Sequence, residues 1–137
     1  MSQARPLVVR LGASLPNPEP EICLIEEAGG RLQFVEATDP AAVLAAIRDA
    51  DVVIQAGGVG FPAETIAQLP RCRAIIQASV GYDRIDVTAA TARGMMVANL
   101  PDYCVEEVSD HAVARLWSSA VAATRLFTWD ALRAHPA

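Results

Sequence analysis

Residues 74–112 read AIIQASVGYDRIDVTAATARGMMVANLPDYCVEEVSDHA, and this stretch decides the fold. Its apolar run at residues 74–78 has the length of a buried strand, and residues 79–81 leave that strand as a glycine-bearing turn. Asp86 is placed to cap a helix, and a second apolar run follows at residues 95–98. The stretch therefore predicts a strand–helix–strand unit, from which parallel sheets are built.

The same alternation continues toward the N-terminus. The runs with the length and composition of strands lie at residues 7–11, 32–36, 51–55, 74–78 and 95–98. Helices are predicted at residues 19–28, after the Asp39-Pro40 cap, from Phe61-Pro62 to Leu69, from Asp86 to Arg93, and from Val105 to about residue 124. Strands that are each followed by a helix predict an α/β fold, specifically a flavodoxin-like parallel five-stranded sheet of order 2-1-3-4-5 with helices on both faces.

The long helix after residue 104 divides the chain into two predicted parts. Residues 1–104 form the sheet domain, and residues 105–137 form the helix and a tail. The helix residues predicted to face the sheet domain recur at helical spacing, and they are Val105, Val108, Ala112, Leu116 and Ala120. A second apolar stripe at Val113, Trp117 and Val121 lies about 100° further round. This second stripe predicts either self-association through residues 105–124 or a tail, bearing Trp129 and Leu132, that folds back over it.

Composition excludes several classes of function. The chain has 137 residues, is 53% apolar and carries a net charge of −5, so it has no basic field for nucleic acid or an anionic membrane. All 11 basic residues are arginine, which excludes a Schiff-base or P-loop lysine. Three widely spaced cysteines predict no metal site and a reducing, cytoplasmic compartment. We expect neither a signal peptide nor a membrane-spanning segment, because no apolar run is long enough.

Residues 58–63 match the G-x-G-x-x-A dinucleotide pattern between a strand and a helix. The pattern normally follows the first strand of its domain, and an acidic residue ends the next strand. Here it follows the third strand, and the next strand ends in Gln77-Ala78-Ser79. Pro62 also removes an N–H group from the turn. A glycine-rich loop at the sheet edge is the favoured interpretation, and a small nucleotide site at residues 57–60 is the alternative.

Other chemically suggestive residues have structural explanations. Ser109, Asp110 and His111 are consecutive on a helix and point about 100° apart, so they cannot form a relay. Asp83 and Asp86 suit turn and cap positions better than acid–base chemistry. Cys104 lies before the positive end of the long helix, but no histidine is placed beside it, and a small buried thiol is favoured. His135 lies in the C-terminal tail and is expected to be solvated.

The stretch SVGYDRID, AATARGMMVANLPDY and EEVSDHA resembles the D-isomer-specific 2-hydroxyacid dehydrogenases. The match is dense over about 40 residues, and its DYC-x-EEV-x-DHA wording resembles the C-terminal-binding-protein branch most. The resemblance implies that residues 1–104 form the substrate, or catalytic, domain with a flavodoxin-like fold. It also implies that the long helix leads toward an NAD-binding Rossmann domain.

The same resemblance implies which residues form the site. The backbone at Val80 and Gly81 meets the substrate carboxylate, Val80 lies near the nicotinamide of NAD, and Tyr103 and Cys104 border the substrate cleft. The family's catalytic arginine, glutamate and histidine fall beyond residue 137, so no catalytic residue is assigned here. Asn99 and Pro101 match positions interpreted as structural. The departures after residue 112 lead us to expect a chain truncated before the NAD-binding domain.

Two classes of function follow from these expectations. In the first, the chain is part of an NAD-dependent oxidoreductase acting on the CH–OH group of small 2-hydroxy acids or on 2-keto acids, and it is inactive alone. In the second, it is a non-catalytic binding or dimerisation module of flavodoxin-like fold, and the apolar long helix makes it a homo-oligomer.

Overall fold

The computed structural model describes residues 5–12 and 17–133, and of residues 125–133 only the helical backbone. Strands and helices alternate along the chain as predicted. The elements are β1 (Leu7–Leu11), α1 (Glu19–Glu27), β2 (Arg31–Val35), α2 (Pro40–Ile47), β3 (Val52–Gln55), α3 (Ala63–Ala67), β4 (Ala74–Gln77), α4 (Val87–Ala92), β5 (Met96–Ala98) and α5 (Val105–Arg133).

The five strands form one sheet of order β2-β1-β3-β4-β5, in which every neighbouring pair is parallel. The predicted strand order is therefore confirmed. The chain moves from β1 to β2 in one direction and then back past β1 to β3. Right-handed crossovers consequently place α1 on one face and α2 to α4 on the other.

The core lies between the central strands and the helices. Every residue of β1 is buried, whereas the edge strands β2 and β5 have no buried residue. Less of each edge strand is covered, because each has only one neighbouring strand. The largest side chains with almost no exposed surface are Phe61, Leu11, Ile47, Ile66, Leu69 and Ile75. Burial of each stabilises the fold by about 1.5–3 kcal/mol.

Two aspartates cap helices as the sequence predicts. The Asp39 carboxylate accepts a hydrogen bond from the Ala42 N–H at 2.9 Å, and Pro40 takes the first helical position of α2. The Asp86 carboxylate accepts from the Ala89 N–H at 2.8 Å at the start of α4. Such caps contribute about 1 kcal/mol each, because they satisfy N–H groups that have no partner within the helix.

Two helices, α3 and α5, end two or more residues away from the predicted position. Helix α3 ends at Ala67 rather than Leu69, because Pro70 disfavours helical geometry at the residue before it, and the Gln68 N–H bonds back to Thr65 O at 3.1 Å. Helix α5 continues past residue 124 to Arg133, since no glycine or proline interrupts it. The fold-back of the tail is therefore wrong up to Arg133, and His135 lies outside the described residues.

The chain divides into two compact units, Met1–Pro101 and Asp102–Ala137. In the second unit, the side chains of the predicted inner stripe of α5 are exposed, including Val105, Val108 and Leu116. The prediction that this stripe faces the sheet domain stays a prediction. None of the described helices is long and apolar enough to cross a membrane.

A buried ion pair on β1 was not predicted. Arg10 occupies the fourth position of this fully buried strand, and its Nε lies 3.0 Å from Glu21 Oε2 on α1. A charged group in the interior persists only with a compensating partner, so the pair fixes α1 against the sheet. Alternation of apolar residues could not reveal it, because Arg10 interrupts an otherwise apolar run.

Candidate functional site

Strands β3 and β4 bring polar groups and glycines to the carboxyl edge of the sheet. β3 ends in Gln55 and β4 in Gln77, and these two residues are register partners. Residues 57–60 follow β3 and residues 79–81 follow β4; we refer to these segments as the β3 loop and the β4 loop. Between them lies a cavity of about 260 Å³, which we call the β3–β4 cavity; its lining includes Gln55, Gly58, Gln77, Ser79, Gly81 and Arg84.

The β4 loop is held by hydrogen bonds from both sides. The Asn99 side-chain amide donates to the carbonyl of Val80 at 2.8 Å, and the Leu100 N–H donates to the carbonyl of Ser79 at 3.1 Å. The Gln77 amide donates to the Ser79 hydroxyl at 2.8 Å, and that hydroxyl donates to the Gly81 carbonyl at 3.3 Å. The loop conformation is therefore fixed before any ligand arrives.

The N–H groups of Val80 and Gly81 in the β4 loop are among the available donors at this edge. Within the described residues, the N–H groups of Val80 and Gly81 have no hydrogen-bond acceptor. Val80 is 44% exposed and Gly81 is also exposed, so both face solvent. Adjacent backbone N–H groups in a turn form a concave site for an anion. The structure thus brings Val80 and Gly81, two of the four predicted substrate-binding residues, into one donor pair.

The β3 loop is fixed by Gln55 and Arg84. The Gln55 amide nitrogen donates to the carbonyls of Gly57, at 2.9 Å, and Val59. Arg84 donates through Nη1 to the carbonyl of Gly58. The opposite orientation of the Gln55 amide would set its oxygen against two carbonyl oxygens, so the position of Oε1 is determined.

Gln55 Oε1 is an unusual acceptor. The Gln55 side chain is 1% exposed, and its oxygen has no hydrogen-bond partner within the described structure. A buried polar atom without a partner costs about 1–3 kcal/mol. The two hydrogen bonds that the same amide donates to the β3 loop offset this cost.

A second cavity, of about 510 Å³, lies on the other side of Gln55, between the ends of β1 and β3. Its lining includes Leu11, Gly12, Ala37, Thr38, Gln55 and Val59. Gly12 has φ 112°, and a Cβ there would come within 2.9 Å of the Ala56 carbonyl carbon. Glycine is therefore required where β1 ends against the β3 loop.

The β3 loop does not fit a dinucleotide. The helix that follows it, α3, has only five residues, Pro62 occupies its cap position, and β4 ends in Gln77 rather than an acid. A pyrophosphate site needs N–H groups at the start of a longer helix and an acid for the ribose. The interpretation as a glycine-rich edge loop is favoured over the small nucleotide site.

Tyr103 and Cys104, the other two predicted substrate-binding residues, lie together in the second unit. The Cys104 carbonyl accepts the Val108 N–H at 3.0 Å, so Cys104 precedes the first turn of α5. Its φ of 57° is left-handed, and its side chain is half-buried, so the favoured buried thiol is wrong. A hydrogen bond with Cys104 raises the pKa of the exposed Tyr103 hydroxyl.

The remaining candidates take structural roles. The Ser109 hydroxyl donates to the Val105 carbonyl at 2.7 Å, and His111 is exposed, as expected for residues that form no relay. Asp83 lies in a turn, as predicted, and it also lines the β3–β4 cavity beside Arg84. The described residues contain no cluster of His, Cys, Asp or Glu suited to a metal ion.

Sequence reasoning missed the groups that position the two loops. These are Gln55, Gln77, Ser79 and Arg84. A signal was present, because an amide ends each of two otherwise apolar strands, and another follows β5 directly. Asn99 was correctly interpreted as structural, since its amide holds the carbonyl of Val80.

Residues 9–132 match the family model described as D-isomer specific 2-hydroxyacid dehydrogenase, catalytic domain. The chain is 35% identical over 105 residues to the D-3-phosphoglycerate dehydrogenase of Mycobacterium leprae, with 76% of this chain and 19% of that protein covered. It is 36% identical over 78 residues to the glyoxylate reductase of Pyrococcus furiosus, with 57% of this chain and 23% of that protein covered.

A solved structure of a 3-phosphoglycerate dehydrogenase is also similar to this chain. The NAD⁺-bound 3-phosphoglycerate dehydrogenase of Entamoeba histolytica is 27% identical, with a TM-score of 0.63 over 70% of this chain and 33% of that one. The chain spans about a fifth of the length of the curated relatives it matches. The extent of the family match shows that this chain belongs to the D-isomer specific 2-hydroxyacid dehydrogenase family and corresponds to its catalytic domain.

Proposed function

We propose that this chain supplies the substrate-binding part of an NAD-dependent oxidoreductase that acts on small 2-hydroxy or 2-keto acids. The observation that carries the proposal is the pair of N–H groups at Val80 and Gly81, which have no acceptor within the described residues. A substrate carboxylate offers two oxygens to such a pair. Asp83 and Arg84 line the same cavity with opposite charges, so the attraction for an anion comes from the donor pair.

The β4 loop acts by binding and orienting the carboxylate. The hydrogen bonds from Asn99 and Gln77 hold the loop in place, so little ordering cost is left for the binding step. A carboxylate held at two points directs the adjacent 2-carbon away from the loop. By family resemblance, Tyr103 and Cys104 border the bound substrate, and Val80 lies near the nicotinamide.

The nicotinamide cofactor supplies the hydride in this chemistry. The described residues of this chain do not fit its dinucleotide, since α3 is too short and β4 ends without an acid. We therefore assign no reaction step to these residues. In this proposal residues 1–104 are the substrate domain, residues 105–137 are an interdomain-type helix, and catalysis requires groups outside the sequence described.

Titration with pyruvate, followed by the backbone amide NMR signals of Val80 and Gly81, tests this proposal. We expect saturable shifts at both residues, and no shift with acetone, in which a methyl group replaces the carboxylate. Gly81→Ala should weaken binding about tenfold, because the added Cβ crowds the donor pair. The Cβ would lie 3.4 Å from Asp83 Oδ2, an ordinary contact, so the fold should tolerate it.

The matched control is Gly29→Ala. Its added Cβ meets nothing within 4 Å, although its φ of 81° strains the backbone, and Gly29 lies on the loop after α1. It should lose some stability but keep its affinity for pyruvate. Equal shifts with pyruvate and acetone, or shifts confined to other residues, would contradict carboxylate binding by the β4 loop.

Two finer assignments belong to the same proposal. The DYC-x-EEV-x-DHA sequence favours the C-terminal-binding-protein-like branch of the family, and three widely separated cysteines favour a reducing cytoplasm. Cys23, Cys72 and Cys104 are all free thiols. Burial raises the pKa of the Cys72 thiol, which keeps it protonated and unreactive.

A second candidate function is a dimerisation module, and one observation favours it. Val108, Val113, Leu116 and Trp117 on α5 are all exposed, and Trp117 is 73% exposed. A contiguous apolar face of this kind marks an interaction surface. We propose that residues 105–124 pair with the same helix of a second copy, as a two-fold interface.

A further inference from the structure

The cavity of about 510 Å³ lies at a special position in the sheet. From β1 the chain passes to β2 on one side, and it later enters β3 on the other side of β1. Such a reversal in strand order opens a crevice at the carboxyl edge, and open α/β sheets bind ligands there. We call this space the switch-point cavity. The β4 loop, with its donor pair, lies at the next strand along.

The walls of the switch-point cavity define the chemistry that it accepts. The described residues that line it carry no charged side chain. Leu11, Ala37 and Val59 supply apolar surface, while Thr38 and Gln55 supply polar atoms. A pocket of this size suits a small organic ligand. Without a cation in the lining, an anion would lose its hydration and gain no compensating charge.

Gln55 supplies the specific group. Its Oε1 is buried without a partner, and its amide nitrogen is already committed to the carbonyls of Gly57 and Val59. The oxygen can therefore only accept a hydrogen bond, which requires a donor on the ligand. The oxygen is covered in this structure, so a donor reaches it only when the β3 loop moves outward against the hydrogen bonds from Gln55 and Arg84 that hold it. The glycines at positions 57, 58 and 60 leave the backbone free to make that movement.

We propose that the switch-point cavity binds a neutral small molecule that has an apolar body and a hydroxyl or N–H group, and that this group donates to Gln55 Oε1. The site differs from the carboxylate-binding β4 loop in the ligand that it takes, although the two cavities share Gln55, Gly57 and Gly58 in their linings. Its ligand is neutral, whereas the N–H groups of the β4 loop suit an anion. The proposal does not depend on the dehydrogenase function.

Benzyl alcohol is a suitable probe, because it combines an apolar ring with one hydroxyl. In the 137-residue chain we expect saturable NMR shifts of the Gln55 side-chain amide and of the Gly57 and Gly58 N–H signals. A dissociation constant of about 1 mM is expected for a fragment of this size. Benzoate, with a carboxylate in place of the alcohol, should produce no saturable shift at these residues.

Substitutions at Thr38 provide one variant that fills the switch-point cavity and one matched control. Thr38 is an exposed residue of the lining, so Thr38→Phe should fill the cavity without disturbing the core and should abolish the shifts. Thr38→Val, which is nearly isosteric, should retain them. The proposal is overturned if benzyl alcohol causes no saturable shift, if benzoate binds equally well, if Thr38→Phe leaves binding unchanged, or if only Ser79, Val80 and Gly81 respond.

Discussion

Gln55 and Gln77 are register partners at the ends of β3 and β4, and both amide side chains are buried, with 1% and 9% of their surface exposed. Each amide fixes the loop that follows its own strand. Gln55 donates to two carbonyls of the β3 loop, whereas Gln77 donates to one hydroxyl of the β4 loop. The two loops that form the candidate site are thus set by equivalent positions of neighbouring strands.

This difference predicts unequal effects of the same substitution. Gln77→Met should lower the free energy of unfolding by about 1 kcal/mol. Gln55→Met should lower it by less, because the loss of two donated hydrogen bonds is offset by removal of the unpartnered Oε1. Urea denaturation measures both values. Gln68→Met is the control, since the Gln68 amide donates to Glu64 O at an exposed position, and it should change stability by less than about 0.5 kcal/mol. Equal losses in all three variants would contradict the assigned roles.

Asn99 should control binding through the position of Val80. Asn99→Ala removes the amide that donates to the Val80 carbonyl at 2.8 Å, so the β4 loop gains freedom. We expect about tenfold weaker binding of pyruvate, measured by NMR titration. Asn17→Ala, which removes an exposed acceptor for the Glu19 N–H, should leave this affinity unchanged. Identical affinity in the two variants would show that Asn99 does not position the loop.

Asp51 should make stability depend on pH. A hydrogen bond from the Leu7 N–H at 2.8 Å, together with Arg71, holds the pKa of Asp51 below its ordinary value of 3.8. Because the folded-state pKa is the lower one, the stabilisation is complete above the unfolded value and is lost as the pH falls through the folded value.

The variant Asp51→Asn tests the direction of this pH dependence. At neutral pH it should be less stable than the parent chain by about 2 kcal/mol, and the difference should shrink as the pH falls below about 4. Asp49→Asn, for which no hydrogen bond or ion pair is described, is the control and should show no such change. A stability difference between Asp51→Asn and the parent chain that grows as the pH falls would contradict this prediction.

The exposed face of α5 predicts self-association. Sedimentation velocity should show a dimer at tens of micromolar, and Leu116→Glu with Trp117→Glu should convert it to a monomer, because both apolar side chains leave the interface. Ala122→Glu lies about half a turn away from Val113 and should leave the dimer intact. A parent chain that is monomeric at this concentration would contradict the proposed interface.

These 137 residues should not transfer hydride by themselves. The β3 loop and the short α3 do not fit a dinucleotide, and positioning of the cofactor supplies a large part of the rate in such reactions. We expect no loss of NADH absorbance with pyruvate above that of a protein-free control. Turnover comparable to that of ordinary enzymes, typically about 1–1000 per second, would contradict this prediction.

The sheet could be predicted because its signals are local. LVVRL at β1 and the Asp39-Pro40 and Asp86 caps each identify an element from a few adjacent residues. The end of α5 was misjudged because the apolar stripes were followed only to about residue 124, yet nothing in residues 125–133 breaks a helix. Helix propensity decided that end, and hydrophobic patterning did not.

The site was predictable only in part, for a physical reason. Val80 and Gly81 could be placed because a turn follows β4 directly. The hydrogen bonds from Arg84 to Gly58 and from Asn99 to Val80 join residues far apart in sequence, and no local pattern encodes such pairs. Likewise, Gln55 Oε1 is buried without a hydrogen-bond partner because of the tertiary packing around it, and no local pattern encodes that packing.

The position of β1 between β2 and β3 has a consequence for synthesis on the ribosome. Val8 pairs with Leu32 on one side and with Val52 on the other, so the second neighbour emerges later than the first. At about 5–20 residues per second, the gap between the two lasts about 1–4 seconds. During that interval the most buried strand, β1, has one open edge, which makes the nascent chain a substrate for chaperones. Synonymous codons that slow translation between β2 and β3 should therefore increase aggregation.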